Sequence, residues 1–162
     1  MLKKYFGHGS FRRGQEEIID SILAGRDCLG VMPTGAGKSI CFQIPALMLG
    51  GVTIVISPLI SLMKDQVEAL TQSGVSAAYI NSTLSAGEYR RVFDMTAAGV
   101  CKILYVAPER LLTEDFLGLC ARLEIPLVAV DESHCVSHWG QDFRPSYLKI
   151  PDLVICDILG HH

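Results

Sequence analysis

Apolar residues fall along this chain in two alternating rhythms. Short unbroken runs at 26–32, 52–57, Ala77–Ile80, Ile103–Val106 and 127–130 are rich in Val, Ile and Leu, as strands buried on both faces are. Between them lie stretches with helical spacing. Residues 15–24 carry Ile18, Ile19, Ile22 and Leu23 on one face. A helix is predicted from about Lys38 to Leu49, closed by Gly50-Gly51, and an amphipathic one over 61–73, closed by Gly74. Ser85 with Glu88 three residues on forms a capping box that opens a helix to about Ala98, and a further helical segment covers 114–123. Strand alternating with helix predicts an α/β fold: a mostly parallel sheet with helices on both faces. In such sheets ligands sit beyond the carboxyl ends of the strands. The polar, turn-forming segments 33–39, 57–61, Pro108–Arg110 and 131–134 all fall at those ends.

Composition narrows the class. With 49% hydrophobic and 19% charged residues, 162 residues make one globular domain with a real core. The apolar runs are too short to cross a bilayer, and the N-terminus has no signal-peptide pattern, so a cytosolic protein is expected, or a nuclear one in a eukaryote. The six cysteines include no CxxC pair, which suits a reducing compartment and core packing, not a zinc site. The net charge is −3, from 14 basic and 17 acidic residues, so no broad basic face advertises nucleic-acid binding. If DNA binds, local loops must hold it.

Two segments carry explicit chemistry. Thr34-Gly35-Ala36-Gly37-Lys38-Ser39, after Pro33, joins a predicted strand to a predicted helix. Glycines there let backbone N–H groups close on phosphate oxygens at a helix N-terminus. Lys38 would pair with the β- and γ-phosphates, and the Ser39 hydroxyl would ligate Mg²⁺. Met32 stands where the strict pattern has a further glycine. Asp131-Glu132 follows the last apolar strand, at the same sheet edge. Asp131 would hold Mg²⁺, directly or through water, and Glu132 would orient or deprotonate an attacking water. Downstream, Trp139, Phe143 and Tyr147 stand four apart with Arg144 among them. Gly140 and Pro145 argue for an irregular loop there, and its rings could stack on bases or pack on the core.

These residues converge on a family. Phe6-Gly7 and Phe11-Arg12-Arg13-Gly14-Gln15 resemble the N-terminal motif of RecQ helicases, and residues 32–39 resemble their motif I. Residues 57–66, from Ser57-Pro58 through Lys64, resemble motif Ia; Asn81-Ser82-Thr83 and residues 107–111 look like the two minor motifs that follow. Residues 131–145 resemble motif II, the Asp-Glu-x-His box ending at His134, joined to the family's aromatic-rich loop. The resemblance runs from about Leu2 to Tyr147. It implies a RecA-like P-loop NTPase domain that takes ATP and Mg²⁺ and works on single-stranded and duplex DNA. Gln15 would read the adenine edge, with His8 and Arg12 beside it. Lys38, Asp131, Glu132 and His134 would carry catalysis. Ser57, Pro58, Lys64, Asn81, Trp139, Phe143 and Arg144 would meet the DNA.

The chain also departs from the family pattern. Arg13 replaces a proline, and Ser133 replaces the alanine of the Asp-Glu-Ala-His box. After Tyr147 the resemblance stops. The reading is therefore a motor lobe over 1–147 and a divergent tail over 148–162, with the family's second lobe and C-terminal domains absent. Such a truncated chain is expected to bind ATP and to unwind DNA little or not at all. The competing readings are a non-catalytic ATP- or DNA-binding fragment or the remnant of a disrupted gene, and an unrelated P-loop enzyme such as a small-molecule kinase or GTPase. The sequence does not fix the oligomeric state.

Overall fold

The computed structural model describes residues 1–33 and 35–132, and the backbone of residues 154–161. In chain order the elements are α1 (Leu2–Phe6), α2 (Gln15–Leu23), β1 (Cys28–Pro33), α3 (Ile40–Met48), β2 (Thr53–Ile56) and α4 (Ile60–Gln72). They continue with β3 (Ala77–Ile80), α5 (Ala86–Ala97), β4 (Ile103–Val106), a 3₁₀ turn (Pro108–Arg110), α6 (Glu114–Cys120), β5 (Leu127–Asp131) and β6 (Val154–His161). The predicted elements are all present, with ends moved by a few residues. The largest such shift at the site has a clear cause: Lys38 and Ser39 belong to the loop, and Ser39 is the residue before the first turn of α3.

Among the described residues every strand pair is parallel, in the order β1-β6-β5-β2-β4-β3. The chain runs from β2 outward to β3, back to β4, and then across to β5 on the other side of β2. Such a reversal splays the loops above the strands and opens a crevice at their carboxyl ends. Strand β6 lies between β1 and β5, with Cys28 opposite Cys156 and Ala129 opposite Cys156 on the other flank. The stretch set apart as a divergent tail thus supplies an inner strand.

Side-chain alternation splits the core into two layers. Val55, Tyr105, Leu127 and Ala129 point to one face and pack against Phe42 and Ala46 of α3 and Met63 and Leu70 of α4. Ile54, Ile56, Leu104, Val106, Val128 and Val130 point to the other, against Phe116 and Cys120 of α6 and Tyr89 and Val92 of α5. Burying each such side chain stabilises by roughly 1.5–3 kcal/mol. This two-sided burial is why these strands read as unbroken apolar runs. Cys41, Cys101 and Cys120 sit inside these layers, where burial pushes their thiols up to about 12, 11 and 12, so they are packing residues and not nucleophiles.

Candidate nucleotide site and strand-facing edge

The phosphate-type loop begins where β1 ends. Gly35 and Gly37 adopt φ of +79° and +75°, a left-handed backbone that β-carbon-bearing residues resist. The turn delivers Lys38 and Ser39, both half-buried, to the start of α3. Across the crevice, β5 ends at Asp131, which is 4% exposed, and Glu132 follows at φ 55°, the one non-glycine residue with positive φ among those described. Strain of this kind costs of order 1–3 kcal/mol and concentrates at functional sites. The Glu132 N–H donates to Asp131 Oδ1 at 3.0 Å, which helps hold the turn.

The two halves meet directly. Lys38 Nζ donates to Glu132 Oε1 at 2.9 Å, with side chains only 12% and 20% exposed. A charge pair this sheltered is weakly screened, so removing either partner leaves the other poorly compensated. The two residues singled out from separate loops therefore form one unit.

The N-terminal motif braces the same loop from behind. Phe11 packs beside Ile19, Ile40 and Ile44, which seats the start of α2 against α3. Gln15, at 2% exposure, donates from Nε2 to the carbonyls of Ala36 and Gly37, each at 3.0 Å, and accepts from the Arg12 N–H at 2.8 Å. Arg12 Nη1 donates to Gly35 O at 2.5 Å. Gln15 and Arg12, the residues expected at the adenine, hold loop carbonyls in this structure. A buried amide left unpartnered costs about 1–3 kcal/mol, and the loop carbonyls are the partners within reach. His8 is exposed on the loop after α1.

This brace makes a prediction. A β-carbon on Gly37 would stand 2.8 Å from Gln15 Nε2, at a left-handed φ. Gly37→Ala is expected to destabilise the protein by about 1–2 kcal/mol and to weaken nucleotide binding by roughly tenfold by pushing Gln15 off the loop. Urea unfolding and a nucleotide titration on the same preparation measure both, and an unchanged affinity would show that the brace does not shape the loop.

Along the rest of the edge the expected DNA-contacting residues divide. Pro58 is half-buried and Lys64 exposed at the start of α4, where a strand can reach them. Ser57 and Asn81 are 1% and 0% exposed. Asn81 Oδ1 accepts from Thr83 N and Oγ1, at 2.9 and 2.6 Å, and its Nδ2 reaches Met63 Sδ at 3.8 Å. Asn81 thus ties its loop from within, and Ser57 Oγ is buried with no hydrogen-bond partner among the described residues, so the surface offered there is Ser82, Thr83 and Leu59. Past the 3₁₀ turn, a groove of about 590 Å³ is lined by Tyr89, Arg90, Phe93 and Arg110, with the Arg110 guanidinium 5.6 Å from the Tyr89 ring. Thr34, His134, Trp139, Phe143 and Arg144 lie outside the described residues, as does Ser133.

Sequence reasoning passed over Gln43 and Tyr105, and gave Gln66 no role beyond its place in the 57–66 stretch. Gln43 Nε2 donates to Gln66 Oε1 at 2.9 Å and to Tyr105 Oη at 3.1 Å. A signal was available: Gln43 is the one polar residue of α3, in an otherwise apolar run, and a lone amide in a core needs a partner.

A family model described as DEAD/DEAH box helicase matches residues 12–156. The chain is 49% identical over 96% of its length to the ATP-dependent DNA helicase RecQ of Pasteurella multocida, and 53% identical over 93% to that of Bacillus subtilis. It spans about a quarter of those relatives, 25% and 26% of their lengths. In fold it resembles the DUF1998 helicase MrfA solved with DNA and AMPPNP, at a TM-score of 0.77 and 16% identity, over 98% of this chain and 25% of that one.

Proposed function

From the membership of this chain in the DEAD/DEAH box helicase family, over residues 12–156, we propose that it is the ATP-binding motor lobe of a RecQ-type DNA helicase. The observation that carries this reading is the sheltered Lys38–Glu132 pair at the strand ends, beside a loop with two left-handed glycines. It is a phosphate site whose cation is held in reserve by its own catalytic carboxylate.

The chain's residues then divide the work. Lys38 exchanges Glu132 for the β- and γ-phosphate oxygens of ATP, while the loop N–H groups and the N-terminus of α3 receive the remaining negative charge. Glu132, released, accepts a proton from the attacking water. The Ser39 hydroxyl and the Asp131 carboxylate are hard oxygen donors, the kind Mg²⁺ takes alongside phosphates, so these two residues would hold it. Bound there, the ion would neutralise charge on the phosphates. Gln15, Arg12 and His8 would flank the base, with Gln15 and Arg12 trading loop carbonyls for the adenine edge. His134 would follow the catalytic pair in its box.

A single DNA strand would run over the carboxyl edge past Pro58, Lys64 and the 81–83 turn, with Ser57 and Asn81 shaping the loops and presenting backbone. Trp139, Phe143 and Arg144 would stack on bases and grip phosphate. Unwinding belongs to a complete motor, in which a second lobe adds an arginine worth roughly 10³–10⁵ in rate in well-studied cases. By itself this lobe is expected to bind nucleotide and to separate strands poorly.

Titration of the native chain and Lys38→Ala with fluorescent ATP and Mg²⁺ tests the site. The substitution is expected to weaken binding by about a hundredfold, the equivalent of two charge-assisted hydrogen bonds of about 1.5 kcal/mol each. Equal affinities, or a folded native chain that binds nothing, would refute the assignment.

A further inference from the structure

Helix α3 starts at the nucleotide loop, and helix α4 starts at the strand-facing edge. We propose that the Gln43–Tyr105–Gln66 cluster is a positioning bridge between them, through which nucleotide and single-stranded DNA strengthen each other's binding. The inference rests on the nucleotide and strand readings of the two ends.

Each link is visible. Gln43 lies one turn beyond Ser39, its N–H donating to the Ser39 carbonyl at 2.9 Å, so its position is set by the turn that carries the loop's hydroxyl. Its side chain is 4% exposed, and both hydrogens of Nε2 are used, one on Gln66 and one on Tyr105. Tyr105 is 1% exposed in β4. Its hydroxyl is held well above its ordinary range, by burial first and also by the nearby Asp131 carboxylate, despite the opposing hydrogen bond from Gln43. The cluster therefore joins the loop helix α3 to β4 and to α4.

Gln66 is on α4, two residues beyond the exposed Lys64. The same helix is tied through Met63 to Asn81, so the 57–61 and 81–83 loops both bear on it. A strand lying across these loops fixes the position of α4. Gln66 is half-buried and joined to Gln43, and in the proposed bridge the alternative to this joined state is an amide turned to water. Fixing α4 in the joined state holds Gln43 and the turn at Ser39, which favours nucleotide at the loop. By linkage the effect is reciprocal.

The test measures a ratio. Fluorescent ATP with Mg²⁺ is titrated into the chain with and without a saturating short oligothymidine, and the quotient of the two affinities is the coupling. The native chain is expected to give a factor of about five or more. Gln66→Leu, which removes the acceptor, is expected to bring it within about twofold of unity. Gln66→Glu, which keeps an oxygen facing Gln43, is expected to restore it. Tyr105→Phe, isosteric but without the hydroxyl, is expected to reduce it, and thermal melts establish that each variant is folded. A change in either affinity alone cancels in the quotient. Coupling that survives Gln66→Leu, coupling that Gln66→Glu fails to restore, or a native chain that binds both ligands independently each overturns the bridge while leaving the nucleotide site standing. Loss of nucleotide binding altogether would instead overturn the assignment of the site.

Discussion

Glu132→Gln will bind Mg-ATP several-fold more tightly than the native chain and release phosphate about 10²–10⁴ times more slowly. The two effects have one geometric source. In the native chain Lys38 is already paired with Glu132 at 2.9 Å in a sheltered setting, and nucleotide must take that cation away. The glutamine amide can still accept from Lys38, but without a formal charge it competes weakly with a triphosphate. The same change removes the group that would accept the proton of the attacking water, since an amide oxygen is far too weak a base. Affinity and turnover therefore move in opposite directions, which loss of folding cannot imitate. A fluorescent-nucleotide titration reads the first and a phosphate-release assay at saturating nucleotide the second. Weaker binding by the variant would mean that the ion pair does not compete with nucleotide. Undiminished phosphate release from a catalytically active native chain would remove Glu132 from the chemistry.

Gly51→Ala will cost about 4 kcal/mol or more, a large part of the roughly 5–15 kcal/mol that holds a domain together. Gly51 sits at φ +68° in the turn between α3 and β2. A β-carbon there would lie 2.2 Å from the Glu124 carbonyl oxygen and 2.9 Å from its carbon, both backbone atoms. That carbonyl accepts the Val52 N–H at 2.9 Å, so relieving the clash would also pull apart the entry to the two central strands. Gly74 provides the control: its φ is +84°, and nothing lies within 4 Å of an added β-carbon. Gly74→Ala should cost only the left-handed penalty of about 1–2 kcal/mol. Urea midpoints for the two variants separate these contributions, and equal costs would show that the Glu124 backbone yields easily.

Much of this architecture is legible in the sequence, because the strands are buried on both faces. Ile54 and Ile56 serve one layer and Val55 the other, so every position must be apolar, and the run announces itself. The glycine-rich turn after β1 is equally open to reading, since the left-handed backbone at Gly35 and Gly37 is what glycines in a strand-to-helix turn announce. What stayed hidden depends on distant partners. Nothing in the neighbourhood of Gln15 says that its amide turns onto Ala36 and Gly37, because those carbonyls arrive from another element. Ser57 and Asn81, set against DNA by the family resemblance, are both buried, a placement that only the packing around their loops decides. Gln43 and Tyr105 drew no reading from the sequence, and only the packing of α3 against β4 and α4 reveals them as partners.

The position of β6 has a consequence for how the protein is made. Strand β1, which ends in the phosphate loop, pairs with β6, and β6 joins it to β5 and the rest of the sheet. The ribosome delivers β1 before β2, β3, β4 and β5, and β6 only after all of them. Until then the nascent chain can assemble β2, β3, β4 and β5 around their helices, while β1 waits beside an open groove lined with unpaired backbone. Pairings across so long a stretch of chain form slowly, and unpaired edges invite the wrong partner. Translation pauses or chaperone contact between the completion of β5 and the arrival of residues 154–161 would act on the step that locks the nucleotide loop into place.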